Sequence, residues 1–159
     1  MACILRVTGE RFSPEECLAQ VQLKAYLVWR KGEPRSRLRA GSRRPEHSGF
    51  AVTVSDADGD CVPVQIKEAQ AFCEAHSADL HRIATFPGVE EAMLDFAWWF
   101  PVGEDRPAGQ FNYFTPQLVA LCGQLGLGIM VTVYASEHED DNSRTSQPTW
   151  PSSAPRPKD

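Results

Sequence analysis

Residues 91–100 read EAMLDFAWWF, and this stretch decides the predicted fold because apolar side chains alternate along it. Alternation with a period of two is typical of a β-strand that buries one face. One face of the predicted strand carries Ala92, Leu94, Phe96, Trp98 and Phe100. The other face carries Met93, Asp95, Ala97 and Trp99. We therefore expect a sheet in which only one face is fully apolar.

The preceding stretch, residues 65–83, reads QIKEAQAFCEAHSADLHRI and has a different period. Its apolar positions recur at spacings of three and four, which predicts a helix with one buried stripe. Pro87 and Gly88 end the helical pattern. A helix followed by a half-buried strand indicates that helices pack on the apolar face of the sheet.

Shorter patterns supply the remaining elements. Ser13 and Glu16 form a capping-box pattern at the start of a helix from Pro14 to about Val21. Thr115 and Pro116 begin another helix, which is predicted to end at Gly126 in the left-handed conformation. Further strands are predicted at residues 3–8, 24–30, 49–55 and 128–136.

The order of these elements is β-α-β-β-α-β-α-β, which predicts an α+β fold. We expect a single mixed, mainly antiparallel sheet of about five strands, with helices on one face and a ferredoxin-like core. Residues 1–136 form the predicted single domain. Residues 137–159 are rich in proline and serine and have few large apolar groups, so we expect a disordered tail there.

Composition restricts the classes of protein that this chain resembles. No apolar run is long enough for a membrane helix, so we expect no membrane partner. The five cysteines include no C-x-x-C pair, and the first residues do not read as a signal peptide. Both observations favour a reduced, cytoplasmic protein. The net charge of −5 makes nucleic acid an unlikely partner.

Positive charge is concentrated in one window, from Arg30 to Arg44. Seven of the 16 basic residues lie there, including Arg35, Arg37 and Arg39, against one of the 21 acidic residues. Glycine and proline interrupt the window, which is typical of a loop. It is either a solvated connection between two strands or a binding loop for an anionic partner.

Candidate catalytic and metal-binding patterns are weak. Asp56, Asp58 and Asp60 resemble a calcium loop, but Cys61 and Lys67 occupy the positions that require glycine and glutamate, so we predict an acidic turn and no metal or cofactor. Cys73 and His76 are three residues apart, which would allow a thiol–imidazole pair. Both fall on the apolar stripe, where a cysteine is more often a packing residue.

The face of the sheet that lacks helices is the main candidate for function. By period two, its predicted residues are Arg6, Thr8, Thr53, Ser55, Asp95, Trp99, Thr132 and Tyr134. Aromatic side chains are enriched at protein-binding hot spots. The predicted partner-binding residues are therefore Trp99, Tyr134 and Asp95, with Asp56, Asp58 and Asp60 and the loop residues Arg35, Arg37 and Arg39. Alternatively, Trp99 or Tyr134 packs beneath a loop such as residues 103–113.

Two segments resemble small uncharacterised bacterial proteins of a domain-of-unknown-function type. One is the Pro-Gly-Val-Glu turn at residues 87–90 that leads to Leu-Asp-Phe, and the other is the helix ending in Leu-Gly-Leu at residues 125–127 that leads to a strand closing in Tyr134. The residues around Phe12-Ser13-Pro14 are similar to families of the same kind. Some of these families are suspected to be immunity proteins against bacterial toxins, so the resemblance implies a protein partner and no catalytic residues.

Three functional hypotheses follow from the sequence. The first is a non-catalytic, immunity or antitoxin-like protein that binds and occludes a bacterial toxin. The second is an anion- or nucleotide-binding sensor that uses the Arg30–Arg44 window. The third is an enzyme built around Cys73 and His76 or around the Asp56–Asp60 turn.

Overall fold

The computed structural model describes residues 3–33, 44–101 and 112–136. Within them lie the elements β1 (Cys3–Gly9), α1 (Pro14–Leu18), β2 (Leu27–Trp29), β3 (Ser48–Ser55), α2 (Val62–Ala75), α3 (Ser77–Ala84), β4 (Glu91–Pro101), α4 (Pro116–Leu125) and β5 (Gly128–Ser136). This confirms the α+β class. The predicted tail at 137–159 and the loop residues Arg35, Arg37 and Arg39 lie outside the described residues.

The five strands form one sheet in the order β2-β3-β1-β4-β5. Neighbouring strands are antiparallel except β4 and β5, which are parallel. The predicted mixed, mainly antiparallel sheet is therefore confirmed. Because β3 lies between β1 and β2, and β1 lies between β3 and β4, the arrangement is compatible with a ferredoxin-like core, to which β5 adds one edge strand.

The hydrophobic core lies between the sheet and the helices. One row of side chains crosses the three central strands, with Leu5 of β1 opposite Leu94 of β4 and Val52 of β3. All three are buried. The helices contribute the other side of the same cluster, which includes Cys17, Ile66, Ala69, Leu80, Ile83, Leu118 and Cys122. Helices thus cover one face of the sheet, as predicted.

The helical pattern of residues 65–83 forms two helices instead of one. The first begins at Val62, with Pro63 in its first turn, where a missing N–H costs nothing. The backbone breaks at His76, whose φ of −114° and ψ of 21° depart from helical values, and α3 starts at Ser77. The buried stripe continues across the break, since Cys73, Leu80 and Ile83 all lie in the core. Periodicity therefore revealed the buried face but not the break.

The two predicted helix starts differ in outcome. Thr115 accepts a hydrogen bond from Leu118 N at 3.2 Å, and Gly126 has a φ of 72°, so both ends predicted for α4 are confirmed. The capping box at Ser13 is wrong, because the Ser13 side chain makes no capping bond in the described structure. Helix α1 has only five residues and ends at Leu18 instead of about Val21; burial of Pro14 and Cys17 holds it in place.

Phe96 is the residue whose truncation tests this core. Its side chain is fully buried and its ring lies 5.1 Å from the ring of Phe114 in an edge-on contact. We expect Phe96→Ala to lower the free energy of unfolding by about 3–5 kcal/mol, because it removes apolar contacts and leaves a cavity. Urea denaturation measures this loss. Tyr113→Ala, at an exposed neighbouring aromatic, is the control and should change stability by less than about 0.5 kcal/mol. Equal losses would contradict this description of the core.

Candidate functional site

The face of the sheet opposite the helices carries most of the residues that the sequence assigned to it. We call it the open face. It presents Arg6 and Thr8 of β1, Thr53 of β3, Asp95 and Trp99 of β4, and Met130, Thr132 and Tyr134 of β5. The parallel register sets Asp95 beside Met130, Ala97 beside Thr132 and Trp99 beside Tyr134. The β4 and β5 residues therefore form one continuous strip.

Ser55 does not belong to this face, so that part of the prediction is wrong. A register irregularity lies between Cys3 and Ile4, which pair with Ser55 and Thr53 respectively. The extra β3 residue, Val54, reverses the alternation, as a β-bulge does. Ser55 is consequently buried and donates a hydrogen bond from its hydroxyl to Glu68 on α2, at 2.5 Å.

An ion pair occupies the middle of the open face. One guanidinium nitrogen of Arg6 lies 3.1 Å from a carboxylate oxygen of Asp95. The other oxygen of Asp95 accepts a hydrogen bond from the Thr132 hydroxyl at 2.7 Å. The Asp95 side chain is only 13% exposed, so these two partners replace most of its hydration. The network joins the three adjacent strands β1, β4 and β5 and holds each polar side chain in one orientation.

An aromatic pair follows at the end of the strip. The rings of Trp99 and Tyr134 lie 5.5 Å apart and are tilted by 43°. Trp99 is 39% exposed and Tyr134 is 48% exposed, so both combine mutual packing with an accessible surface. Large, partly exposed aromatic side chains that already contact each other lose little conformational freedom on binding.

The acidic turn at Asp56–Asp60 holds Trp99 in place. The indole N–H donates to the Asp58 carboxylate at 3.0 Å, and the backbone N–H of Trp99 donates to Gly59 O at 3.0 Å. The ring lies directly on Gly59, where a Cβ atom would overlap it. Hydrogen bonds from the Gly59 backbone N–H and from the Trp99 side chain lower the pKa of Asp58. Trp99 thus packs against this turn.

Asp56, Asp58 and Asp60 are all exposed in this turn. Within the described residues, no group of three or more histidine, cysteine, aspartate or glutamate side chains could hold a metal ion. Of the three carboxylates, that of Asp58 contacts the aromatic pair directly, through its hydrogen bond with the Trp99 indole.

The first two residues of the basic window are engaged by acidic side chains. Two guanidinium nitrogens of Arg30 bind one oxygen of Glu15, at 3.0 and 2.7 Å. The Lys31 ammonium donates to Glu10 at 2.6 Å, and this hydrogen bond lowers the pKa of Glu10. These contacts attach the start of the window to α1 and to the residue that follows β1. The predicted site residues Arg35, Arg37 and Arg39 lie outside the described residues.

The thiol environment is unfavourable for the Cys73–His76 hypothesis. Cys73 is fully buried, and its pKa is raised by a hydrogen bond to Cys122 and by burial. A nucleophilic cysteine requires a lowered pKa and access to substrate. The ring of His76 packs against Phe72, with the ring centres 4.7 Å apart. Cys73 and His76 therefore act as packing residues within the described contacts.

Sequence reasoning missed two residues that shape this site. Met130 lies on the open face, and its sulfur is 3.1 Å from an Arg6 guanidinium nitrogen. The period-two spacing of Met130, Thr132 and Tyr134 indicates that Met130 lies on the same face as the other two. Gly59 provides the surface on which Trp99 lies, and no local pattern reveals a contact between residues 40 positions apart.

No protein-family model, curated protein or solved structure matches this chain. In the part of the chain that the structure describes, no helix is long and apolar enough to cross a membrane. The evidence for function therefore comes from the open face.

Asp95 should contribute to stability because two open-face side chains depend on it. We expect Asp95→Ala to lower the free energy of unfolding by about 1–3 kcal/mol, since Arg6 and Thr132 would lose their partner. Asp95→Asn should lose less, because its amide oxygen still accepts from Thr132. The control is Glu91→Ala, an exposed acid on the same strand, with an expected change below about 0.5 kcal/mol. Chemical denaturation decides, and indistinguishable effects of the two alanine variants would show that the network adds nothing.

Thiol alkylation tests the packing role of Cys73. We expect iodoacetamide to label Cys61 first in the native protein, because Cys61 is the exposed thiol. A hydrogen bond to Asp60 raises the pKa of Cys61, so this labelling should be slower than that of a free cysteine. Cys3, Cys17, Cys73 and Cys122 are buried and should react only in denaturant, as mass spectrometry of labelled peptides would show. Native labelling of Cys73 as fast as that of Cys61 would return the enzyme hypothesis to consideration.

Proposed function

We propose that this protein is a non-catalytic binding domain that recognises another protein through the open face of its sheet. The observation that carries the proposal is the Trp99–Tyr134 pair, which is packed and yet accessible at one end of that face. Aromatic residues of this kind supply most of the energy at many protein interfaces.

The polar centre of the open face supports a specific partner. The Arg6–Asp95–Thr132 network presents charged groups whose orientation is fixed before binding. Preorganised polar groups reject surfaces that cannot match them, because a mismatched partner leaves a desolvated charge without a hydrogen bond. Binding hot spots usually combine a central apolar residue with surrounding polar groups, and the open face has both.

We propose further that the partner is a toxin with a cationic surface, and that binding occludes it. The support is the resemblance of residues 87–96 and 114–134 to families suspected of immunity function, together with the acidic charge balance outside Arg30–Arg44. Asp58 contacts Trp99 and lies in an exposed turn with Asp56 and Asp60, so a basic partner at this end of the open face would meet complementary charge. Such complementarity chiefly accelerates association.

The first experiment expresses the products of the adjacent genes one at a time, each together with the tagged protein, and tests whether they co-purify. A stable complex that suppresses the toxicity of one product supports the proposal. If every adjacent product is harmless on expression and none binds in calorimetry, the toxin proposal is wrong.

Substitution at the aromatic pair then tests the interface. We expect Tyr134→Ala to weaken the complex by about 2 kcal/mol or more, roughly 30-fold in Kd, mainly through faster dissociation. The matched control is Tyr113→Ala, which removes an exposed tyrosine that precedes α4 and belongs to no strand of the sheet. Trp99→Ala should weaken binding at least as much, but it also removes the hydrogen bond to Asp58. Surface plasmon resonance measures both rates, and unchanged dissociation for both open-face variants would exclude this face.

A further inference from the structure

The strand β5 is an edge of the sheet with an unusual surface. It ends the order β2-β3-β1-β4-β5, and among the described strands it pairs only with β4. Its other side therefore presents a row of backbone N–H and C=O groups that pair with no other described strand. On one face of β5, Met130 and Tyr134 are exposed; on the other, Val131 and Val133 are exposed. Both faces of this edge are thus partly apolar.

The sequence of β5 itself contains none of the residues that usually block edge pairing. Proteins commonly block an edge with a charged residue, a proline, a bulge or a very short strand. The nine residues of β5 read GIMVTVYAS, which contain no charged residue and no proline. Their pairing with β4 proceeds without a register shift. The strand is about 30 Å long at the usual rise per residue. Within the described residues, β5 therefore has an edge suited to pairing with another strand.

The opposite edge of the sheet is unsuitable as the partner of β5. That edge is β2, which has only three residues and is followed at once by Arg30 and Lys31. Pairing of β5 with β2 of another molecule would leave most of the nine residues unmatched. It would also be a head-to-tail contact, which generates open chains of molecules instead of a closed assembly.

A second β5 strand matches the first one completely. If two copies pair antiparallel about a two-fold axis at Thr132, the midpoint of the strand, every residue from 128 to 136 has a partner. Val131 then lies opposite Val133 of the other copy, and Met130 lies opposite Tyr134. All opposed side chains are uncharged, so no like charges meet and no charge is desolvated. Thr132 lies opposite itself, a favourable pair in antiparallel sheets.

We propose that β5 binds the β5 strand of a second copy of this chain, so that two sheets join into one across a two-fold axis. The argument rests on matched length, absence of charge and the apolar side chains on both faces. It does not depend on the proposed toxin partner. In the dimer, two copies of the Trp99–Tyr134 pair flank the axis on one continuous open face.

The test is the mass of the full chain in solution, measured by sedimentation equilibrium over a range of concentrations. We expect a reversible dimer. Val133→Lys should raise its dissociation constant about tenfold or more, because it places a charge at the edge. The matched control, Val119→Lys on α4, introduces the same charge at an exposed valine away from β5 and should leave the dimer intact. A wild-type monomer at every concentration overturns the proposal, as does a dimer that Val133→Lys leaves unchanged while the variant remains folded by circular dichroism.

A cross-linking variant keeps the proposal testable if Val133→Lys fails to fold. Residues directly opposite each other at an antiparallel two-fold axis have Cα atoms about 4.5–5.5 Å apart, which suits a disulfide. In a Cys61→Ser background, which removes the exposed native thiol, Thr132→Cys should form a covalent dimer with oxidised glutathione. Val119→Cys should not. A Thr132→Cys protein that stays monomeric on a non-reducing gel would overturn the proposed register and the two-fold pairing with it.

Discussion

The alternation of apolar side chains along β1 is the constraint on which the rest of the structure depends. Leu5 lies between Leu94 and Val52, and Val7 lies between Ala92 and Phe50. Burying these rows under the helices fixes the opposite orientation for every intervening residue, because a strand has a period of two. Arg6 is therefore directed to the open face, where it meets Asp95. The position of the polar network on the open face therefore follows from the burial of the alternate apolar residues.

The same logic explains which parts of the structure could be predicted from the sequence. The stretch EAMLDFAWWF contains its own period, so the orientations of Phe96 and Trp99 follow from local pattern alone. The bulge at Val54 does not follow from local pattern, because it arises from the match between β3 and β1. It turns the side chain of Ser55 to the opposite face of the sheet. The capping pattern at Ser13 was likewise overridden, since a helix of five residues held by buried Pro14 and Cys17 does not need the side-chain bond.

The residues of the candidate site could be predicted from the sequence, but the contacts between them could not. Trp99, Tyr134 and Asp95 were predicted to share a face, and the register places them there. The contact between Trp99 and the Asp58–Gly59 turn depends on where the β3–α2 connection crosses the end of β4, which is a tertiary property. That contact gives Asp58 a structural role, since its carboxylate accepts hydrogen bonds from the Gly59 backbone N–H and from the Trp99 indole N–H. An acidic cluster that resembled a calcium loop thus supports an aromatic side chain.

The open face and the free edge of β5 also constrain each other. Tyr134 belongs to both, because it packs on Trp99 and lies on the edge strand. A strand added beside β5 would cover the outer flank of Tyr134 and leave its exposed surface directed away from the helices. A partner large enough to cover both Trp99–Tyr134 pairs would then contact both copies. When one partner contacts both copies, the second contact forms at high effective concentration. The two contacts together therefore bind the partner more tightly than either does alone. Dimerisation through an uncharged edge would therefore increase the affinity of the face without adding a residue to it.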